Sequence, residues 1–289
     1  MNGGNSEPAR LLPFILHESR ASFAWKGSGA LSLKTFRGGT TLYEAGRGYF
    51  SVDDHRFLVL NAGQEYALHI DSPTEVESFC IFFPDGFVER IGQNLMQSEG
   101  QRLDDPFGSR STKSFEWVER THSMQSSLGE TLRQLRHLHR LKVLDAWGWE
   151  ERMHDLALRL LRLHQDVRKE MDNLSAAKLS TREELYRRAY LGHEYLTAYY
   201  DQSPSLADTA AVAQLSVNHF LRSYKAVFGI SPHRYLTECR LQAAMRLLQT
   251  TDRSVTDICF AVGFESLGTF SSLFARRFGE PPSQARLNR

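Results

Sequence analysis

The side chains with the plainest chemical use lie in two aromatic-rich stretches of the C-terminal third. In the first, Asn218, His219, Leu221 and Arg222 follow one another closely. Asparagine can make a two-point hydrogen bond to adenine and arginine to guanine, while leucine can touch only a thymine methyl. In the second, the equivalent places hold Leu267, Gly268, Thr269 and Ser272. These have little hydrogen-bonding power toward base edges, so this copy is expected to dock by backbone contact, thymine methyls and DNA shape. Ser216 and Ser266 just ahead, and Lys225, Arg276 and Arg277 further on, are hydroxyls and cations suited to phosphates. Phe220, Tyr224 and Phe228, and likewise Phe270, Phe274 and Phe278, recur at every fourth residue. That spacing puts each set on one inward helix face, as core and not as a stacking platform for bases.

The elements that must position these residues form a repeat. Phe220–Gly229 aligns with Phe270–Gly279 at a shift of 50, and Pro232 with Pro282. Upstream the shift is 49, pairing Leu206 with Val255 and Asp208 with Asp257, so one residue is inserted near Glu265. Each copy reads as helix, tight turn, helix. Ser205 and Ser254, each with Asp three residues on, are capping-box-like starts. Ser216 and Ser266 cap the second helices, over about 217–227 and 267–277. Gly263 suits a left-handed C-cap at the turn of the second copy. Ser231-Pro232 opens a connecting helix to about Gln249. Eighteen residues at 1.5 Å rise give about 27 Å, of the order of one DNA turn of about 34 Å. Such a spacer could set two helices in successive major grooves. Net charge is only +1, but residues 215–289 hold ten basic residues against five acidic ones, hence +5 there and −4 elsewhere. That asymmetry is a weak indication of a polyanionic partner.

Residues from about 185 to 286 closely resemble the DNA-binding domain of the AraC/XylS transcription regulators. The resemblance is carried by Leu206-Ala-Asp208, Phe228–Leu236, Arg240–Leu248, Val262–Phe270 and Phe278–Pro282. It implies a sequence-specific regulator of transcription, more usually an activator, that binds double-stranded DNA, with RNA polymerase as a further partner. It also implies a cupin-type sensor and dimerisation domain ahead of it.

The N-terminal half agrees with that in architecture. Leu31–Phe36, Thr40–Glu44, Phe57–Leu60, Tyr66–Ile70 and Val76–Phe83 are short β-branched and aromatic runs. Turn signals at Gly38-Gly39, Gly46–Gly48, Asp53-Asp54, Asn61–Gly63 and Asp71–Pro73 separate them. Such spacing predicts a small barrel or sandwich. Two helical stripes follow, Leu128, Leu132, Leu135, Leu138, Leu141 and then Met153, Leu156, Leu160, Leu163, Val167, Met171, Leu174. They fit either a hairpin packed on its own barrel or a homodimer seam, and the dimer is the reading adopted. The expected fold is α+β: a flexible tail (1–22), a cupin-like barrel (23–112), a helical dimerisation region (113–175), a linker (176–182) and an all-α DNA-binding domain (183–289). The last holds helix-turn-helix units at about 205–228 and 254–278, joined by a helix of about 232–249.

A barrel of this kind can hold one small ligand. Arg37, Tyr43, Tyr49, His55, Tyr66 and His69 are the polar and aromatic candidates for an effector pocket. A metal-dependent cupin enzyme is disfavoured. His55 and His69 stand alone in the strand region, and His137 and His139 face different ways on a helix. There is no phosphate-cradling glycine loop and no nucleophile elbow, so no metal, cofactor or catalysis is expected. A regulator controlled by a protein partner instead of a ligand is the nearer alternative. Cys80, Cys239 and Cys259 fall in no paired motif and read as reduced residues of a cytoplasmic protein. No apolar run is long enough to span a membrane, and Leu11–Leu16 lacks the cationic flank of a signal peptide.

Overall fold

Alternating apolar residues build a seven-stranded antiparallel sheet that curls into a nearly closed barrel. The computed structural model describes residues 13–96, 115–172, 174 and 179–287. Two compact units divide the chain, Met1–Ser175 and Ala176–Arg289. The strands are β1 Phe14–Ser28, β2 Ser32–Arg37, β3 Thr41–Ala45, β4 Gly48–Val52, β5 Arg56–Leu60, β6 Glu65–Phe82 and β7 Thr121–Ser123. β6 is the central element. It pairs with β1 along most of its length, with β3 over Tyr66–His69 and with β2 over Glu77–Phe82.

Three strand assignments differ from the sequence expectation. β1 begins at Phe14, inside the stretch read as a tail ending at residue 22. Its alternation is interrupted by a register shift between Arg20 and Ser22. Between the two registers β1 has one residue and β6 has four, 72–75; the odd difference of three shifts the pairing and reverses which parity of β1 faces inward. Phe14, Leu16 and Glu18 before it, and Phe23 and Trp25 after it, therefore line the same interior cavity, although the sequence shows no continuous period of two. β6 runs straight through Pro73, which was read as a turn. The bulge leaves residues 72–75 between the paired points Asp71↔Ser22 and Val76↔Arg20, where no ladder hydrogen bond is required of proline. β4 begins at Gly48, within the expected turn, because Ala45 pairs with Gly48 and Gly46 alone takes a positive φ of 57°.

Three helices complete this unit: α1 Phe87–Met96, α2 Ser127–Leu141 and α3 Ala146–Asp172. The Ser126 hydroxyl caps α2 by accepting from Gly129 N at 3.1 Å. Leu128, Leu132 and Leu135 of α2 and Met153, Leu156 and Leu160 of α3 share one buried cluster with Leu33, Phe57, Val59, Phe79 and Ile81 of the sheet. The stripes expected to form a dimer seam thus cover the outer face of their own barrel. The reason is that an apolar sheet face must be buried against another layer. The region is not wholly helical either, since β7 lies in it and adds to β5.

The second unit is all helix: α4 Leu179–Ala198, α5 Leu206–Val212, α6 Val217–Phe228, α7 Pro232–Thr250, α8 Val255–Ala261, α9 Leu267–Phe278 and α10 Pro282–Leu287. α4 starts inside the stretch read as a linker. α7 runs between two small cores. Tyr235 and Leu236 pack with Leu196, Ala210, Ala213, Phe220 and Tyr224, whereas Leu241, Ala244 and Leu248 pack with Ile258, Val262, Phe270 and Phe274. Cys80 and Cys259 are buried, Cys239 is half-buried, and all three are free thiols. Among the described residues no helix is long and apolar enough to cross a membrane.

Candidate nucleic-acid interface and barrel cavity

The two helix-turn-helix units are built by the same local devices. Ser205 Oγ accepts from Asp208 N at 3.0 Å and donates to Asp208 Oδ2 at 2.6 Å. Ser254 and Asp257 repeat both bonds at the same distances. The carboxylate therefore grips the capping hydroxyl itself, a variation on the expected capping box. At the second helices, Ser216 Oγ accepts from His219 N and Ser266 Oγ from Thr269 N, each at 3.4 Å. Each hydroxyl keeps its own O–H as a donor at a helix N-terminus, where phosphate oxygens are favoured.

The turns open alike but differ in residue type, and the second is one residue longer, 262–266 against 213–216. Gly263 takes φ +89°, and the equivalent Gln214 takes φ +55°. Leu215 N then reaches Ala210 O at 3.0 Å, and Phe264 N reaches Cys259 O at 3.1 Å, the closing bonds of two equivalent C-caps. Sequence reading found the glycine and missed the glutamine. The left-handed conformation is unfavourable for any residue with a Cβ, and at Gln214 the Arg188 guanidinium supports it by donating to Gln214 O at 3.0 Å.

Inside the helices the aromatic sets behave as their spacing demands. Phe220, Tyr224, Phe270 and Phe274 are fully buried. Phe220 meets Tyr224 at 5.4 Å and 63°, and Phe270 meets Phe274 at 5.6 Å and 61°, edge-to-face pairs of one geometry. Phe228 stacks on His193 at 4.3 Å, which also meets the Tyr235 ring at 4.0 Å and the Tyr224 hydroxyl at 2.9 Å from Nδ1. With these rings inward, Asn218, His219, Arg222 and Lys225 lie exposed on α6, and Leu221 is half-buried. On α9, Leu267, Gly268, Thr269, Ser272 and Arg276 are exposed. The Arg222 guanidinium folds back on its own helix, Nε donating to Asn218 O at 3.4 Å. Arg277 is engaged elsewhere: its guanidinium grips Glu238 of α7 through bonds of 2.9, 2.9 and 2.8 Å. It therefore ties α9 to α7, which sequence spacing could not reveal, and stands apart from Lys225 and Arg276 as a phosphate candidate.

In the N-terminal unit the six candidate pocket residues separate. Tyr43 and Tyr66 line a cavity of about 290 Å³ inside the barrel. Arg37, His55 and His69 are exposed and Tyr49 is half-buried, and none of the four lines that cavity. Parity explains this. Even-numbered residues of β2 and β6 point inward, so Arg37 and His69 point out; Tyr49 pairs with the exposed Glu44; and His55 sits in the β4–β5 turn. Sequence reading missed Lys34, Cys80 and Phe82, which also line the cavity. Burial pushes the Lys34 ammonium down to about 8, and it pushes the Tyr66 hydroxyl up to about 12.

The comparisons bear on the second unit. A helix-turn-helix domain model matches residues 209–288. The transcriptional activator RhaS of Klebsiella pneumoniae is 32% identical over 158 residues, 55% of this chain and 55% of that protein. The virulence regulon transcriptional activator VirF of Yersinia enterocolitica is 33% identical over 96 residues, 33% of this chain and 35% of that protein. The DNA-binding domain of AdpA, crystallised with a target DNA, is 27% identical, covering 34% of this chain and 87% of that one with a TM-score of 0.33. The chain spans about half, or less, of the length of the curated relatives it matches. The duplicated units and the domain model over 209–288 make the C-terminal region a helix-turn-helix domain, similar to the matched parts of these two transcriptional activators.

Proposed function

We propose that this protein is a sequence-specific regulator of transcription that binds double-stranded DNA through α6 and α9 and takes a small-molecule effector in the barrel. The observation that carries the DNA reading is the duplication. Two helices with equivalent serine caps and equivalent buried ring pairs present exposed faces holding Asn218, His219 and Arg222 in one case and Gly268, Thr269 and Ser272 in the other. α6 supplies most base readout and α9 docks by backbone, methyl contact and shape. Ser216, Ser266, Lys225 and Arg276 hold phosphates. The relatives named as activators favour activation, with RNA polymerase as the protein partner. The barrel cavity favours an effector over control by a protein alone. Dimerisation is assigned to a surface other than the buried stripes. Leu141, the exposed end of the first stripe, with Val143 and Trp147 around the α2–α3 turn, offers an apolar surface for it.

Selection of binding sites from random duplex DNA with the full-length protein tests this, at near-physiological salt so that phosphate attraction does not dominate. The expected product is a motif of two blocks about one helical turn apart. A pool with no enriched sequence, with and without the acids named below, would refute the reading.

A further inference from the structure

We infer that the barrel cavity is a site for an apolar, ring-bearing monocarboxylate whose carboxylate pairs with Lys34. This rests on the reading of the barrel as the sensor half. Lys34 is only 2% exposed, yet its side chain lines the cavity. Its Nζ donates to the Tyr66 hydroxyl at 3.1 Å and sits 3.8 Å from the centre of the Phe82 ring. No carboxylate forms an ion pair with it among the described residues. The other titratable groups around the cavity supply no counter-charge. Cys80, Tyr43 and Tyr66 are all pushed up by burial and stay neutral at pH 7. Glu18 also lines the cavity, but it is ion-paired to Arg20 at 2.8 Å and is not among the charges acting on Lys34.

A buried ammonium with one hydroxyl partner and a ring face is under-satisfied, since it has three N–H donors and a charge that has left water. A hydrocarbon side chain would fill the same space without that cost. The natural complement is an anion entering from outside, and the charge-assisted bond to it would be strong in so apolar a setting. The rest of the lining states what must accompany the charge. Phe23, Trp25, Phe36, Tyr43 and Phe82 surround the space, which suits a flat ring offset-stacked or edge-on against them. At about 290 Å³ the cavity lies at the low end of small-ligand pockets, roughly 300–1,000 Å³. One ring with a short acid arm fits that size, and a sugar, with hydroxyls all round, does not match the lining. Phe14 and Leu16, exposed at 40% and 42%, line the same space from β1 and mark an apolar mouth.

Titration calorimetry of the full-length protein with 3-phenylpropanoate and indole-3-acetate, and with the alcohol corresponding to each, tests the assignment. At least one acid is expected to bind once per chain, about tenfold or more tighter than its alcohol, the difference made by a hydrogen bond to a charged group. Lys34→Met should abolish that preference while the protein stays folded, and Tyr66→Phe should keep most of it. Equal binding of acid and alcohol, unchanged acid binding in Lys34→Met, or no binding of either acid would overturn the assignment. The affinity for a selected DNA site, measured with and without the acid, separates the two readings. Failure to bind acid with DNA binding intact refutes only the cavity assignment. Acid binding that leaves DNA affinity unmoved supports the cavity assignment and refutes effector control.

Discussion

Arg222 stands on the exposed side of α6, six residues after the Ser216 cap, and among the described residues its guanidinium bonds to the backbone of its own helix. That leaves the guanidinium able to reach a guanine at little cost. Arg222→Ala is expected to lose about 1–3 kcal/mol of specific binding and to relax preference at one base pair. Binding curves on the selected site and on its single-base variants would show it, and unchanged preference would remove Arg222 from base readout. Lys34 offers a second residue-scale test, now of stability. Burial lowers its protonation from 10.5 to about 8 in the folded state, whereas the unfolded chain holds the proton up to the ordinary value. Between about pH 8 and 10.5 the unfolded state binds more protons, so this group makes stability rise with pH there. Below that window the fold carries the desolvation cost in full. Lys34→Met should therefore raise stability at pH 7 by about 1–3 kcal/mol and remove the rise above pH 8, as denaturant unfolding at both pH values would reveal. Binding of a carboxylate should weaken as the ammonium deprotonates. Of the groups facing it, Tyr43, Tyr66 and Cys80 stay neutral across pH 6–8 because burial pushes each of them up, and Glu18 is held in its ion pair with Arg20.

At the scale of elements, the two helix-turn-helix units are one design whose turns differ by the residue inserted near Glu265 and by the residue that takes the left-handed conformation. Gly263 at φ +89° has Arg240 Nε and Asp201 O each 3.0 Å from where a Cβ would stand. Gln214 holds the same left-handed conformation with a side chain. Opposite outcomes follow for exchanges in the two places. Gly263→Ala is expected to cost about 1–3 kcal/mol through backbone strain and crowding. Gln214→Gly should be neutral or stabilising by up to about 1 kcal/mol, since the left-handed penalty is relieved and only glycine's entropy opposes it. Thermal unfolding of both variants would decide, and a destabilised Gln214→Gly would mean that the Gln214 side chain itself holds the turn.

At the scale of the whole molecule, the two units have separate cores. The barrel buries its outer face under α2 and α3, and the C-terminal helices bury theirs around the two ends of α7. A fragment of residues 176–289 is therefore expected to fold alone and to select the same DNA motif as the full chain, more weakly if pairing of copies through the N-terminal unit aids binding. A fragment that is folded by circular dichroism yet selects a different motif would show that the barrel half takes part in recognition.

The C-terminal unit was legible in sequence because its signals are local. A serine caps the helix that follows it, rings four residues apart share a face, and a glycine marks a turn, all within a dozen residues. Even there, the Arg277–Glu238 pair and the left-handed Gln214 depend on partners 39 and 26 residues away. The barrel half was only partly legible. Its strands could be seen as short apolar runs, but the side each residue faces depends on the register shift where 72–75 of β6 bulge opposite β1, and on pairing with β6 some 60 residues on. That parity alone decided that Lys34 and Tyr66 face the cavity while Arg37 and His69 do not. Amphipathic periodicity determined that α2 and α3 had apolar faces to bury. Only tertiary packing, such as the bond from Arg136 of α2 to Thr35 of β2 across 101 residues, decided that their own barrel would cover them, because a periodic stripe specifies a buried face and not its partner.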